Sequence, residues 1–362
     1  MLILIVNAGS SSVKAAIFDH DLNALAAGAV SEIGARAEIA APGRAGLVVA
    51  PDHAEALALL IDSFGGLGRI VIAAHRVVHG GAQLSTPCRI TPGVEAAIEA
   101  MAEIAPLHNP ANLAGIRAVA RLAPALPQYA SFDTAFHATN PEVALRYALP
   151  PEAEALGIRR YGFHGLSYAS LVANWQGALP RRLLAYHLGN GASACAILDG
   201  RSVASSMGFS PLDGLTMGTR AGGIDGNAVL RLAEVHGIEG AGRILNRESG
   251  LKGLSSLSDM RAILRAGTHE AAFARDHFAY WAVRHGGSLI AAMGGLDGVA
   301  FTGGIGEHDL GMRGMILDGL AYAGVRHEGG IATGDVVVRV VEAAEERQIA
   351  AEALALRAGE GR

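Results

Sequence analysis

Short, strongly apolar runs recur along the chain, each bounded by glycine, proline or small polar residues. The first is part of LILIVNAGSSSVKAAIFD, residues 2–19: a strand-like run, a loop of small residues, then a second run closing on Asp19. Its counterpart is LLAYHLGNGASACAILD, residues 183–199. An offset of 180 lays Gly9 on Gly189, Ala16 on Ala196, Ile17 on Ile197 and Asp19 on Asp199. Repetition at half the chain length predicts two duplicated domains rather than a short-period solenoid.

Between the hairpins, AEALALLIDSFGG has helical spacing, with Asp52 as N-cap and Gly65-Gly66 as the stop. RIVIAAHRVV reads as a strand, Pro92 and Pro110 open helices over 92–104 and 110–123, and QYASFD is a short strand. The second half predicts strands at 182–188, 298–302 and 336–341, with helices near 270–293, 309–323 and 344–357. Strands alternating with helices predict an α/β fold with partly parallel sheets. The near-continuous apolar content of 69–78 and 182–188 fits strands covered on both faces. Pro141, Pro150 and Pro151 mark 138–160 as the crossing between halves. The expected domains are 1–137, completed by a C-terminal helix over about 345–362, and 138–344.

Composition narrows the class. At 362 residues, 51% hydrophobic and 17% charged, the chain can bury two substantial cores. A formal charge of -5 argues against nucleic acid as partner, because phosphate neutralisation needs a basic face. Cys88 and Cys195 are too few for a disulfide scaffold, and MLILIV is too short and lacks the basic leader of a signal peptide. The expectation is a soluble cytoplasmic protein with no membrane span.

Loops rich in Gly and Ser expose backbone N–H groups and hydroxyls that suit phosphate oxygens. One such loop reads as a plain β-turn. A matched pair joined by a third, FTGGIGEH, points to a nucleotide. Neither G-x-x-x-x-G-K-[ST] nor G-x-G-x-x-G occurs, which disfavours the P-loop and Rossmann routes. His75 and His79 have metal-site spacing, but they lie in a β-type run, so zinc is not expected.

Eight segments, in order and spacing, resemble the acetate kinase family: VNAGSSSVK (6–14), HRVVHGG (75–81), PLHNPAN (106–112), FDTAFH (132–137), YGFHG (161–165), HLGNGAS (187–193), SMGFSPLDGLTMGTR (206–220) and FTGGIGEH (301–308). The resemblance implies two duplicated ribonuclease-H-like domains of the actin, sugar kinase and Hsp70 type, with nucleotide in the cleft, working as a homodimer. It implies reversible phosphoryl transfer between ATP and acetate, giving ADP and acetyl phosphate, with Mg2+ or Mn2+ as cofactor. Propionate is the alternative acceptor.

By the same resemblance Arg76 clamps the acetate, Arg220 and His164 stabilise the transition state, and Asp133 orients Arg220 and the metal shell. Read alone, Arg76 fits a strand-end ion pair, and His164 and Asp133 fit helix caps. Asn7 and Glu345, or its neighbour Glu346, match the metal positions, and His108 a phosphate contact. Val78, Leu107, Phe163 and Pro211 match the methyl pocket. His187, Leu188, Gly189, Asn190 and Gly191 match the nucleotide's phosphate loop. Asp259, Met260 and Arg261, with Gly304, Ile305, Gly306, Glu307 and His308, match its ribose and adenine ends. The chemistry agrees: at ~4 Å two like charges repel by roughly 4 kcal/mol at an effective dielectric near 20, so two anionic reactants demand cations.

Three positions leave the family pattern. HGTSH becomes HGLSY, with Tyr168 for the second histidine; GTRSGDIDP becomes GTRAGGIDGN, losing an acid at Gly223; GIGEN becomes GIGEH, with His308. A sugar kinase needs a carboxylate base, for which Asp133 is the candidate. A non-enzymatic ATP-switched clamp shares the fold but has no use for the arginines and His164.

Overall fold

The computed structural model describes residues 2–34, 36–106 and 108–360. The chain divides into two compact units, Met1–Phe136 with Ala344–Arg362, and His137–Ala343.

The first unit is built on an eight-stranded sheet in the order β5-β4-β3-β2-β1-β6-β8-β7. Its strands are β1 (Leu2–Gly9), β2 (Ser12–Phe18), β3 (Ala24–Ser31), β4 (Glu38–Ala41), β5 (Arg44–Leu47), β6 (Ile70–Val77), β7 (Cys88–Arg89) and β8 (Gln128–Phe132). Its helices are α1 (His53–Ser63), α2 (Pro92–Ala100) and α3 (Asn109–Leu122). Ile3, Leu4, Ile5 and Val6 are all buried, as a strand covered on both faces requires. Leu4, Val6 and Ala8 alternate onto the face that packs with Leu57 and Leu60 of α1 and Val119 of α3. Asp52 caps α1 as the sequence predicts, accepting hydrogen bonds from the Ala54 and Glu55 N–H groups.

The second unit carries short helices α4 (Glu142–Leu145) and α5 (Pro151–Ala155), then α6 (Gly165–Ala173). Its five-stranded sheet runs β11-β10-β9-β12-β15, from β9 (Arg182–Leu188), β10 (Ala192–Leu198), β11 (Arg201–Ser205), β12 (Gly298–Thr302) and β15 (Val337–Val340). Helices α7 (Gly226–Arg243), α8 (Gly250–Ser255), α9 (Met260–Ala266), α10 (His269–Met293), α11 (Gly303–His308) and α12 (Leu310–Gly319) follow in turn. β13 (His327–Glu328) and β14 (Ile331–Ala332) make a small ribbon, and α13 (Glu345–Glu360) packs back on β1, β6 and β8 of the first unit.

The duplication is visible in the sheets. β3-β2-β1-β6-β8 and β11-β10-β9-β12-β15 share strand order and senses: two antiparallel pairings followed by two parallel ones. One detail differs from the sequence alignment. The first hairpin closes with Gly9 opposite Ser12, the second with Leu188 opposite Ala192. The second turn is one residue longer, so a single offset superposes only one strand of each hairpin. Other departures concern ends. The helix expected over 92–104 stops at Ala100, with a tighter turn over Met101–Glu103, and that expected over 309–323 stops at Gly319. Among the described residues no helix is long and apolar enough to cross a membrane.

Candidate active site

In the first unit the parallel register gathers the charged residues towards the C-terminal ends of the neighbouring strands β1, β6 and β8. Val6 lies opposite His75, which sets Asn7 beside Arg76, and Arg76 lies opposite Ser131, just before Asp133. Arg76 Nη2 donates to Asp133 Oδ2 at 2.6 Å, and Arg76 Nε lies 3.1 and 3.2 Å from the two carboxylate oxygens. Glu345, the first residue of α13, places Oε2 3.9 Å from Arg76 Nε. Burial works against the Arg76 charge, yet the fields of Asp133 and Glu345 outweigh it and hold the guanidinium above its ordinary pKa. Burial pushes the Asp133 carboxyl up and Arg76 pulls it back. One edge of the Arg76 fork, Nε and Nη2, is thus given to Asp133.

Within its own unit Asp133 thus pairs with Arg76, a partnership the sequence reading does not name beside the one it implies with Arg220. His108 stands at the N-cap of α3, and its field acts on Asp133. Val78 is buried, its N–H bonded to Asn112 Oδ1, while Leu107 lies outside the described residues. His75, also buried, is bonded through Nε2 to Gln128, inside the sheet.

The donor chemistry suits a hard cation: one guanidinium faces the Asp133 and Glu345 carboxylates, leaving negative charge in excess near the strand position of Asn7. Among the described residues no cluster of three or more His, Cys, Asp or Glu is placed to hold a metal by itself. Magnesium needs only one or two carboxylates beside phosphates and water, so Asn7 and Glu345 fit that role.

In the second unit the tip of the β9–β10 hairpin is Gly189-Asn190-Gly191. A Cβ on Gly191 would lie 2.5 Å from Arg220 Nη2 and 3.1 Å from His164 Nε2, so glycine lets both side chains approach without shifting. Arg220 is oriented by donating from Nη1 to the Pro211 carbonyl at 2.6 Å. His164 is the N-cap of α6 in the left-handed conformation, φ 58°, a strain of about 1 kcal/mol for a residue with a Cβ. Its ring lies 4.3 Å, centroid to centroid, from that of His187, and Nδ1 bonds Ser193 Oγ at 2.9 Å. Phe163 is buried, its carbonyl accepting from His137 Nε2.

Beside this tip opens a pocket of about 530 Å3 between the hairpin, the start of α9 and α11. Gly189, Asn190, Asp259, Met260, Arg261, Gly304, Ile305 and His308 line it, together with Ser258, Leu264 and Asp309, which sequence reasoning missed. Leu264 falls on the α9 turn after Met260, a spacing that could have signalled it. Hydrogen bonding from Arg261 holds the Asp259 carboxyl down at about 2. Five expected residues lie outside the lining: Gly191, at the hairpin tip, and His187, Leu188, Gly306 and Glu307. Leu188 is fully buried, and the His187 ring bonds Ser167 Oγ. Gly306 is buried, and the Glu307 carboxylate turns back to accept from the Gly303 and Ala343 N–H groups. Glu307 therefore shapes its loop rather than lining the pocket.

The acetokinase family pattern matches residues 2–345. Acetate kinase of Rhodopseudomonas palustris is 42% identical over 347 residues, covering 90% of this chain and 87% of that one. Acetate kinase of Leifsonia xyli subsp. xyli is 41% identical over 390 residues, covering 97% and 98%. Among solved structures, Porphyromonas gingivalis acetate kinase superposes with a TM-score of 0.90 at 33% identity, covering 98% of this chain and 99% of that one. A propionate kinase from Francisella tularensis reaches 0.92 at 33%, covering 97% and 98%. The duplicated sheets are those of the actin-like ATPase fold, and the chain belongs to the acetokinase family.

Proposed function

We propose that the chain is an acetate kinase, catalysing reversible in-line phosphoryl transfer between ATP and acetate. The observation that carries this reading is the meeting of Arg220 and His164 over Gly191, beside a pocket of nucleotide size, in a chain about two-fifths identical to acetate kinases.

Forward, a carboxylate oxygen of acetate attacks the γ-phosphorus as the bond to the β-phosphate oxygen breaks, leaving acetyl phosphate and ADP. Acetate has no proton to lose, so no base is needed. Arg76 is assigned the carboxylate, and Val78, Leu107, Phe163 and Pro211 are assigned the methyl group by their match to the family's positions. Arg220 and His164 meet charge developing on the phosphoryl oxygens, and His108 adds a phosphate contact. The 530 Å3 pocket takes the nucleoside end. Asn7 and Glu345 would hold a divalent ion, Mg2+ by choice of donors, which when bound would supply neutralisation of phosphate charge. Asp133, tied twice to Arg76, is poorly available as a base, which argues against a hydroxyl acceptor such as a sugar. The working form is a cytoplasmic homodimer, which sedimentation would check for assembly.

The Francisella likeness keeps propionate as the second acceptor. One methylene in such a pocket is worth only ~1–3 kcal/mol. Trapping acyl phosphate as hydroxamate, with ATP, Mg2+ and in turn acetate, propionate, butyrate or glucose, tests both readings. Most product is expected with acetate, and none with any acid would sink the proposal.

A further inference from the structure

Tyr168 Oη lies 2.5 Å from Ser193 Oγ, and the same Oγ lies 2.9 Å from His164 Nδ1. Tyr168 and Ser193 are both fully buried, and Tyr168 is one of the positions at which this chain leaves the family pattern. A serine hydroxyl has one proton and two lone pairs, so it can donate to only one of these partners. The phenol decides which. The main chain of His187 hydrogen-bonds the phenol and burial keeps it protonated; with that proton given to Ser193, the serine's own proton is left for His164. Ser193 then donates to His164 Nδ1. A neutral imidazole that accepts at Nδ1 carries its proton on Nε2, and Nε2 is the nitrogen beside Gly191 and the Arg220 guanidinium.

We propose that Tyr168 is a positioning residue which, through Ser193, fixes His164 as the Nε2–H tautomer and aims that N–H at the phosphoryl group in transfer. The proposal rests on reading His164 as a phosphoryl contact. A phenol suits the task because its single proton leaves it one way to donate, whereas a histidine there would bring a tautomer choice of its own.

The test uses the whole protein labelled with 15N in its imidazoles, the His164 signals being assigned by their loss in His164→Gln. Wild type is expected to show Nδ1 bare and Nε2 protonated. Tyr168→Phe is expected to mix the tautomers and lower kcat about tenfold, one hydrogen bond's worth. KM for acetate and ATP should stay within about twofold, as for a group acting in the transition state. If Tyr168→Phe does not fold, Ser193→Ala reads out the same two quantities. A protonated Nδ1 in wild type, or an unchanged spectrum in the folded variant, overturns the proposal. A tautomer shift as expected, with His164→Gln as active as wild type, keeps the hydrogen-bond direction and overturns both the catalytic role and the reading on which it rests.

Discussion

Arg76 shows how one side chain can face two ways. Its hold on Asp133 leaves the carboxylate 2% exposed and the guanidinium 22%, so the pair depends on mutual contact more than on water. Removing one member of such a pair leaves an uncompensated charge, so Asp133→Ala is expected to cost about 3–5 kcal/mol in urea unfolding. Arg220→Ala should instead leave the urea midpoint nearly unchanged and lower kcat on the order of a thousandfold, as for other guanidiniums that act on a transferring phosphoryl group. Turnover near wild type would remove Arg220 from the mechanism. Val78→Ala should shift preference from acetate towards propionate and butyrate in the hydroxamate assay; an unchanged ratio would take Val78 out of the methyl pocket. The motifs made these residue types legible. What they could not carry is the partnership of Arg76 with Asp133, which arises from the register of two parallel strands far apart in sequence.

Among elements, the two glycine hairpins were readable because apolar strand, small-residue turn and closing aspartate all repeat. Their one-residue difference in turn length was not, since pairing depends on which groups meet across the ladder. β3, β4 and β5 escaped notice because ALAAGAVS, EIAA and RAGL are short or dominated by small residues, with little alternation to mark a face. α7 was hidden for a related reason: Gly237, at φ 72°, breaks its helical course. The longer second turn has a testable use. Gly191→Ala puts a methyl group 2.5 Å from Arg220 Nη2, and Arg220, bonded to the Pro211 carbonyl, must shift to make room. The expected result is a kcat loss of about tenfold or more with the fold retained. A fully active alanine variant would mean that Arg220 is free to move aside without consequence.

At the scale of the whole molecule, acid should be the condition that undoes the fold. His75 and His137 are buried, one in each unit, and burial pushes both down to about 4 from an ordinary 6.5. Each therefore binds fewer protons folded than unfolded. The stability this represents is complete above pH 6.5 and is lost as pH falls from there towards 4. At pH 5 the loss is about 2 kcal/mol per histidine. Urea midpoints measured from pH 7 to 5 should fall accordingly, and more gently in His75→Gln if that variant keeps its bond to Gln128. A flat profile would mean that these rings are protonated in place.

The helix that completes the first unit, α13, comes after the entire second unit along the chain, and it seats Ile349, Ala350 and Ala353 in the interior. During synthesis the leading sheet must therefore wait, part of one side uncovered, until the ribosome has released everything in between. Glu345 arrives with that same helix, so the carboxylate expected near the metal reaches Arg76 only when the sheet is finally closed. Nascent fragments ending anywhere before it should be sticky and inert alike.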